Sequence, residues 1–249
     1  MNIGLYQSAS SLSALERWQD AVSQNITSAQ TTGYRKRTVE FSTESAGKWN
    51  LNPAAKAGAD NEASALFTHA TSGINFISGE TQPTRRELDV ALQGDGFFEI
   101  QQPDGAKVYT RNGEFRVRPD RTLVTSGGGE VLTEGGGPIT LLPGGGPVSF
   151  NRDGTVFQGS TALGKLSIQK FAHPEALTPL TGGLFAPGPG AGMEAVAEPE
   201  LMQGYLEQSN VQPLREMVDL VLISRAYEAN QKVISSVDQQ MQKTLDALG

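Results

Sequence analysis

The N-terminal segment carries a narrow apolar stripe at helical spacing. Two apolar series with a period of seven residues are offset by three: the first contains Leu5, Leu12 and Ile26, and the second contains Leu15 and Val22. This is the a/d pattern of a helix with a single seam. The pattern stops before Gly33, where glycine can end a helix. The spacing predicts a helical element over residues 1–33.

The C-terminal segment, residues 206–249, returns to the helical period. Pro213 suits the first turn of a helix, where its missing N–H has no intrahelical partner. One apolar face consists of Leu214, Val218, Val221 and Leu222. A second seam, spaced by three or four residues, consists of Ile234, Val237, Met241, Leu245 and Leu248.

The middle of the chain, residues 88–187, has the pattern of short strands separated by turns. The predicted strands are Phe97–Gln101, Lys107–Arg111, Glu114–Val117, Thr122–Thr125, Ile139–Leu142, Val148–Phe150 and Lys165–Phe171. Asp-Gly and Asn-Gly pairs between them favour hairpin turns, because both residues tolerate positive φ. Residues 34–87 and 188–205 are predicted connectors. The fold class is therefore α+β, with a central antiparallel β domain and a helix at each end.

A narrow seam on a long helix cannot bury itself alone, whereas a helix packed on a sheet usually has a broader apolar stripe. We therefore expect the two terminal helices to pair as a coiled coil and to contact copies of the chain; packing of both helices on the β domain is the alternative. The predicted assembly interface comprises Leu5, Leu12, Leu15, Val22, Ile26, Val218, Val221, Leu222, Ile234, Val237, Met241, Leu245 and Leu248. Open head-to-tail contacts among copies would build a filament.

Composition argues against several kinds of chemistry. The 249 residues carry a net charge of -7, which disfavours a nucleic-acid partner. The absence of cysteine removes disulfides and thiolate chemistry, and the two histidines lie far apart. We expect no catalytic centre, no cofactor and no metal. The N-terminus lacks the pattern of a Sec signal peptide, and no apolar run reaches the length of a membrane span, so we expect a soluble protein without membrane insertion.

Four motifs resemble those of the bacterial flagellar basal-body rod and hook family, and they occur in the family's order. NITSAQTTGYRK at Asn25–Lys36 resembles the N-terminal motif, although its usual second asparagine is replaced. LDVALQGDGFF at Leu88–Phe98 and YTRNGEF at Tyr109–Phe115 are similar to the central motifs. Gly204–Lys232, with REMVDL and SRAYEANQK, resembles the C-terminal motif.

The resemblance implies a structural subunit that stacks helically into the rod, the drive shaft of the flagellum that crosses the periplasm. It also implies export by the flagellar type III apparatus without a cleaved signal, and partners that are copies of the chain and neighbouring rod or hook proteins. Length and the C-terminal ending favour a place in the proximal rod, with the distal rod second and the longer hook subunit third. The rival classes are a peptidoglycan-active carbohydrate hydrolase and a β-rich binding module outside the flagellum.

Overall fold

A computed structural model describes residues 3–50 and 62–247. The chain forms two compact units, each assembled from segments that are distant in sequence. Unit 1 consists of Met1–Ile26, Arg37–Gly73 and Pro213–Gly249, and unit 2 consists of Thr27–Lys36 and Ile74–Gln212.

Unit 1 contains both long helices. Its elements are α1 (Ile3–Thr27), β1 (Arg37–Asn50), β2 (Glu62–Ile74) and α2 (Pro213–Asp246). β1 and β2 form a two-stranded sheet. Pro213 is the first residue of α2, as predicted, and α1 ends at Thr27, several residues before Gly33.

Unit 2 contains short strands. They are β3 (Thr81–Pro83), β4 (Val90–Gln93), β5 (Phe97–Gln101), β6 (Lys107–Thr110), β7 (Phe115–Val117), β8 (Leu123–Thr125), β9 (Glu130–Val131), β10 (Val148–Phe150), β11 (Thr155–Gln158), β12 (Thr161–Lys165), β13 (Ile168–Phe171), β14 (Leu177–Pro179), β15 (Leu184–Pro187), β16 (Met193–Ala195), β17 (Glu200–Gln203) and β18 (Tyr205–Glu207), with a 3-10 turn at Pro174–Ala176.

The main sheet of unit 2 follows the order β14-β15-β6-β5-β9-β8-β7, and β13 joins β5 to β16. A three-stranded sheet contains β10, β11 and β12, and two pairs, β17 with β4 and β18 with β3, join the end of the unit to its beginning. The pairings resolved in unit 2 are antiparallel. The α+β class is confirmed.

Two apolar cores lie on opposite faces of β5. Phe97 belongs to one core and Phe98 to the other, because successive side chains of a strand point to opposite faces. Phe98 packs edge-on against Phe115, and Phe97 packs against Phe185 with ring centroids 5.5 Å apart. Since β5 is covered on both faces, apolar side chains do not simply alternate with polar ones along it: Phe97, Phe98 and Ile100 are all buried.

Both predicted Asp-Gly turns form as expected, whereas the predicted Asn-Gly turn does not. The side-chain oxygen of Asp104 accepts a hydrogen bond from the N–H of Ala106 at 2.9 Å, and Asp153 accepts one from Thr155 at 3.1 Å. These contacts support the backbone turns, in which Gly105 and Gly154 donate to the carbonyls of Gln102 and Asn151 and take positive φ. The Asp-Gly hairpin turns are confirmed. The hairpin predicted at Asn112-Gly113 is wrong: Gly113 has no positive φ, and β6 and β7 on either side of it do not pair, because Gly113 lies against the backbone of Val90 and hydrogen-bonds to it.

Six of the seven predicted strands are confirmed with shifts of at most three residues at either end. The strand predicted at Ile139–Leu142 is wrong, because that segment makes only isolated bridges, among them Thr140 with Thr122. The predicted connectors contain strands: β1, β2 and β3 fall within 34–87, and β16 and β17 fall within 188–205. The division into two units does not test the predicted domain bounds, which stay predictions.

Gly33 lies in the segment that follows α1 and comes very close to the backbone of Arg111 within unit 2. Its φ is +68°, and a Cβ there would lie 2.4 Å from the carbonyl carbon of Arg111. We expect Gly33→Ala to lower the free energy of unfolding by about 1–3 kcal/mol through the positive φ alone, with a similar further loss from the collision.

Gly105→Ala is the matched control, because Gly105 has φ +87° but open space where a Cβ would lie. Chemical denaturation of both variants measures the difference. Equal losses of stability would contradict the close approach of Gly33 to Arg111.

Candidate assembly interface

Two polar contacts between α1 and α2 define their relative direction. The Nδ2 of Asn25 donates a hydrogen bond to Oε2 of Glu216 at 2.9 Å, and the Nδ2 of Asn230 lies 3.4 Å from Oγ of Ser11. Asn25 comes late in α1 and Glu216 early in α2, whereas Ser11 comes early and Asn230 later. The helices therefore run antiparallel in unit 1.

Asn25 is fully buried at the end of α1 and also binds the start of β1. Its Oδ1 accepts a hydrogen bond from the N–H of Arg37 at 2.8 Å, and its Nδ2 donates one to the carbonyl of the same residue at 2.9 Å. The side-chain amide thus pairs with one backbone residue as another backbone would. One side chain connects α1, β1 and α2.

The sequence-predicted residues of α1 lie on its covered side. Leu15 and Val22 are buried, and Leu5, Leu12 and Ile26 are half-buried. The same helix contacts the two-stranded sheet: Arg17 donates a hydrogen bond to the carbonyl of Ala70 at 2.9 Å, and Trp18 packs edge-on against Phe41. Residues of α1 are therefore covered by both α2 and the sheet.

One face of α2 is covered along its length at alternating spacings of four and three residues. This covered seam consists of Glu216, Leu220, Ile223, Tyr227, Asn230, Ile234 and Val237, all buried or half-buried. Glu216 is fully buried and Ile223 is 1% exposed. Two of the sequence-predicted residues, Ile234 and Val237, belong to this seam.

Four other predicted residues of α2 are exposed and do not belong to the covered seam. Val218, Val221 and Leu222 are exposed, and with Leu214 and Met217 they form an apolar face that we call the outer stripe. Leu214 is 80% exposed and Val218 is 59% exposed. Met241 is also exposed, at 44%. The side chain of Leu245 and the whole of Leu248 lie outside the described residues.

Unit 2 holds a buried charge cluster. The guanidinium of Arg35 donates a hydrogen bond to Oε1 of Glu207, and the Nε of Arg111 lies 3.8 Å from Oε2 of the same carboxylate. The side chains of all three residues are at most 3% exposed. Gly79 adds a backbone hydrogen bond to Glu207 at 2.9 Å. One carboxylate therefore holds two buried guanidinium groups and a loop.

The position of Arg111 explains a change in its pKa. Burial lowers the pKa of its guanidinium to about 10, the charge of Glu207 opposes that change, and the charge of Arg35 adds to it. Arg111 also donates a hydrogen bond to the carbonyl of Leu92 at 3.1 Å and lies over the ring of Phe97. The neighbouring carbonyl and ring partly replace the water that this cation has lost.

Asn210 has a role in unit 2 similar to that of Asn25 in unit 1. Its Oδ1 accepts a hydrogen bond from the N–H of Lys36 at 2.6 Å, and its Nδ2 donates to the carbonyls of Asn75 and Ile77 at 2.9 and 2.8 Å. It thereby ties together three segments that are far apart in the chain.

Sequence reasoning missed the polar residues of both units, because it searched for apolar seams. Ser11, Trp18 and Asn25 are seven residues apart, as are Glu216, Ile223 and Asn230. That heptad spacing, read without regard to polarity, is the signal that would have found the Asn25–Glu216 contact. Nothing local in the sequence indicates that Arg35 meets Glu207.

Within the described ranges, no group of three or more acidic, histidine or cysteine residues is arranged to hold a metal ion. The helices in the same ranges are not long and apolar enough to cross a membrane.

Comparison with known proteins gives two family matches. Residues 202–247 match the C-terminal model of flagellar basal body rod FlgEFG proteins, and residues 91–158 match the D1 domain model of flagellar hook proteins FlgE/F/G. The first match covers α2 and the strands that precede it, and the second begins in β4 and ends in β11.

Curated relatives extend the match to nearly the whole chain. A flagellar basal-body rod protein FlgG from Borreliella burgdorferi is 32% identical, with 94% of each chain covered. A flagellar basal-body rod protein FlgF from Caulobacter vibrioides is 33% identical over 100% of this chain and 99% of its own length. A FlgG protein from Agrobacterium fabrum is 32% identical over 93% of this chain and 94% of its own.

These matches define the class, which is that of structural proteins of the bacterial flagellum. The chain belongs to the flagellar basal-body rod family and is a structural subunit of the rod. The resemblance found in the sequence motifs is confirmed. Relatives named FlgG and FlgF match at almost equal identity, so identity does not separate these two names.

The charge cluster of unit 2 gives a prediction for stability. We expect Glu207→Gln to lower the free energy of unfolding by roughly 3–5 kcal/mol, because it leaves two buried guanidinium groups without their anion. Denaturant unfolding, followed by circular dichroism, measures the loss.

Glu134→Gln is the control, since Glu134 pairs with Lys165 at 2.8 Å but is 49% exposed. A surface ion pair contributes about 0–1 kcal/mol. If both variants lose equally little, the cluster does not hold unit 2 together as described.

Proposed function

We propose that the chain assembles into the rod through the outer stripe of α2, with copies of itself and neighbouring rod or hook proteins as partners. The observation that supports this proposal is the apolar face formed by Leu214, Met217, Val218, Val221 and Leu222 on a helix whose opposite face is already covered. A helix of a single folded chain normally has an apolar face only toward its own core. Contiguous exposed apolar residues mark a surface that binds another protein.

The predicted interface residues then divide into two groups. Leu5, Leu12, Leu15, Val22, Ile26, Ile234 and Val237 pair the two helices within one chain, and Val218, Val221, Leu222 and Met241 face neighbouring chains. We propose that the pairing within the chain is a coiled coil, which the alternating spacing of four and three along α2 supports. Leu245 and Leu248, predicted from the sequence as interface residues, stay a prediction.

The energy available to such an interface is large because it is repeated. Covering one exposed Leu or Val side chain contributes about 1.5–3 kcal/mol. The outer stripe has five such apolar side chains in each subunit. Repeated in every copy of a helical stack, these contacts would make the rod stiff enough to carry torque.

We also propose that the rod containing this chain lies in the periplasm and that the chain reaches it through the flagellar type III export apparatus, without cleavage of a signal peptide. The role is structural and not enzymatic, since the matched relatives are named as basal-body rod proteins. Release of sugar fragments from peptidoglycan by the purified chain would contradict the structural role.

The proposed interface is tested by placing a charge on the outer stripe, at Val221, and on Met241, which is exposed farther along α2. We expect Val221→Asp and Met241→Asp to block assembly of the rod and abolish motility, because a carboxylate in a covered apolar contact loses its hydration without a partner. The purified variants should unfold at the same denaturant concentration as the natural chain, since both positions are exposed. Electron microscopy of basal bodies and swimming assays measure the outcome.

Gln231→Asp is the matched control, because Gln231 is exposed on the same helix and lies nine residues beyond Leu222, the last residue of the outer stripe. It should leave assembly intact. Normal rods in cells that carry Val221→Asp and Met241→Asp would contradict the proposed interface.

A further inference from the structure

We propose that Asn25 is a positioning residue that sets the register between α1 and α2. The inference rests on the proposed pairing of the two helices within one chain and not on assembly between chains. The apolar seam by itself leaves the register open, and the polar residues within the seam select one alignment.

The two polar contacts have the same register. Asn25 and Ser11 are 14 residues apart in α1, and their partners Glu216 and Asn230 are 14 residues apart in α2. Equal separations on both helices mean that the pair runs side by side over two heptads without a shift. The helices therefore hold one alignment over this length.

The same alignment assigns the layer between the two contacts. Trp18 lies seven residues from both Ser11 and Asn25, and Ile223 lies seven residues from both Glu216 and Asn230. A constant register places Trp18 opposite Ile223, which is 1% exposed. The three layers thus alternate along the seam: polar, apolar, polar.

This alternation discriminates against a slipped pair. A slip of seven residues moves one helix along the other by about 10 Å and would superimpose the heptad pattern on itself. In one direction it would place Asn25 against Ile223, and in the other it would place Glu216 against Trp18. Either slip buries an amide or a carboxylate against an apolar side chain, which is unfavourable.

Asn25 is the member best suited to select the alignment, because its amide is held by the backbone. Its Oδ1 faces the N–H of Arg37 and its Nδ2 faces the carbonyl of Arg37, so the amide cannot be reversed without placing donor against donor. The second hydrogen of Nδ2 is therefore directed to Glu216. The pairing with β1 thus orients the donor toward Glu216 without any contribution from α2 itself.

Disulfide formation between engineered cysteine pairs measures the register directly, because the natural chain contains no cysteine that could compete. Four positions on the covered faces suffice: Ala14 and Ala21 on α1, with Leu220 and Tyr227 on α2. The in-register pairs are Ala14→Cys with Tyr227→Cys and Ala21→Cys with Leu220→Cys. The slipped pairs are Ala14→Cys with Leu220→Cys and Ala21→Cys with Tyr227→Cys. Each cysteine therefore occurs once in each class, and differences in local reactivity cancel.

The rate of intramolecular disulfide formation is measured on the full chain at low concentration under mild oxidation. A disulfide requires Cα atoms within about 7 Å, which a slip of seven residues exceeds. We expect the in-register pairs to close at least about tenfold faster than the slipped pairs. Equal rates for the two classes would overturn the assigned register.

Removing the polar layer tests the role of Asn25 itself. Asn25→Leu, and Asn25→Leu combined with Glu216→Leu, should reduce the preference for in-register pairs to below about threefold, because an apolar layer fits either alignment. The double variant should keep its helical circular dichroism, since it leaves no buried carboxylate unpaired. A purely structural role would lower stability without changing the ratio of rates.

Gln24→Leu is the control, because it adds the same side chain at the exposed neighbouring position. It should leave the ratio of rates unchanged. An unchanged ratio in the double variant, with helical content retained, would overturn the proposal. All measurements use the isolated chain, so failure of assembly between copies would not affect them.

Discussion

The amide of Asn25 is the contact on which the helical unit depends. The chain crosses from one unit to the other four times. Three of these crossings are close in sequence to Asn25, Arg37 and Glu216, which all belong to unit 1 and are joined by hydrogen bonds. A single fully buried side chain thereby joins one helix end, one strand start and one helix start. In unit 2, Asn210 joins segments that are close in sequence to the same crossings, and one of its partners is Asn75. An amide suits both positions because it donates and accepts at once without carrying a charge.

The two faces of α2 therefore make different kinds of contact. The face that carries Glu216 and Ile223 is used within the chain, and its polar members restrict how α1 can lie on it. The outer stripe around Val218 and Leu222 carries larger apolar exposure and has no polar member to fix an alignment. In the proposed rod, specificity within a subunit thus comes from hydrogen bonds, whereas cohesion between subunits comes from apolar area.

The sequence allowed the fold class and the Asp-Gly turns of unit 2 to be predicted, because both depend on neighbours in the chain. Asp104 and Asp153 form their turns with residues two positions further on. The covered seam of α2 was harder to predict. A glutamate such as Glu216 is expected at the surface, and its partner Asn25 is 191 residues away in the sequence. Arg35 and Glu207 are likewise separated by 172 residues. Buried polar pairs of this kind leave no local apolar pattern, so reasoning from periodicity favoured the exposed residues of α2.

The energetics of unit 1 connect folding with assembly. Most of the stability of a helix in a protein comes from packing of its apolar face, and isolated helices are marginal in water. α2 has 34 residues, but in a single chain only one of its faces is covered. Any neighbour that covers the outer stripe binds only the folded helix, so by mass action it also stabilises the helix against unfolding. Each subunit added to the stack would therefore order the helix pair more completely, and a rod could be rigid although its free subunits are built from helices of modest stability.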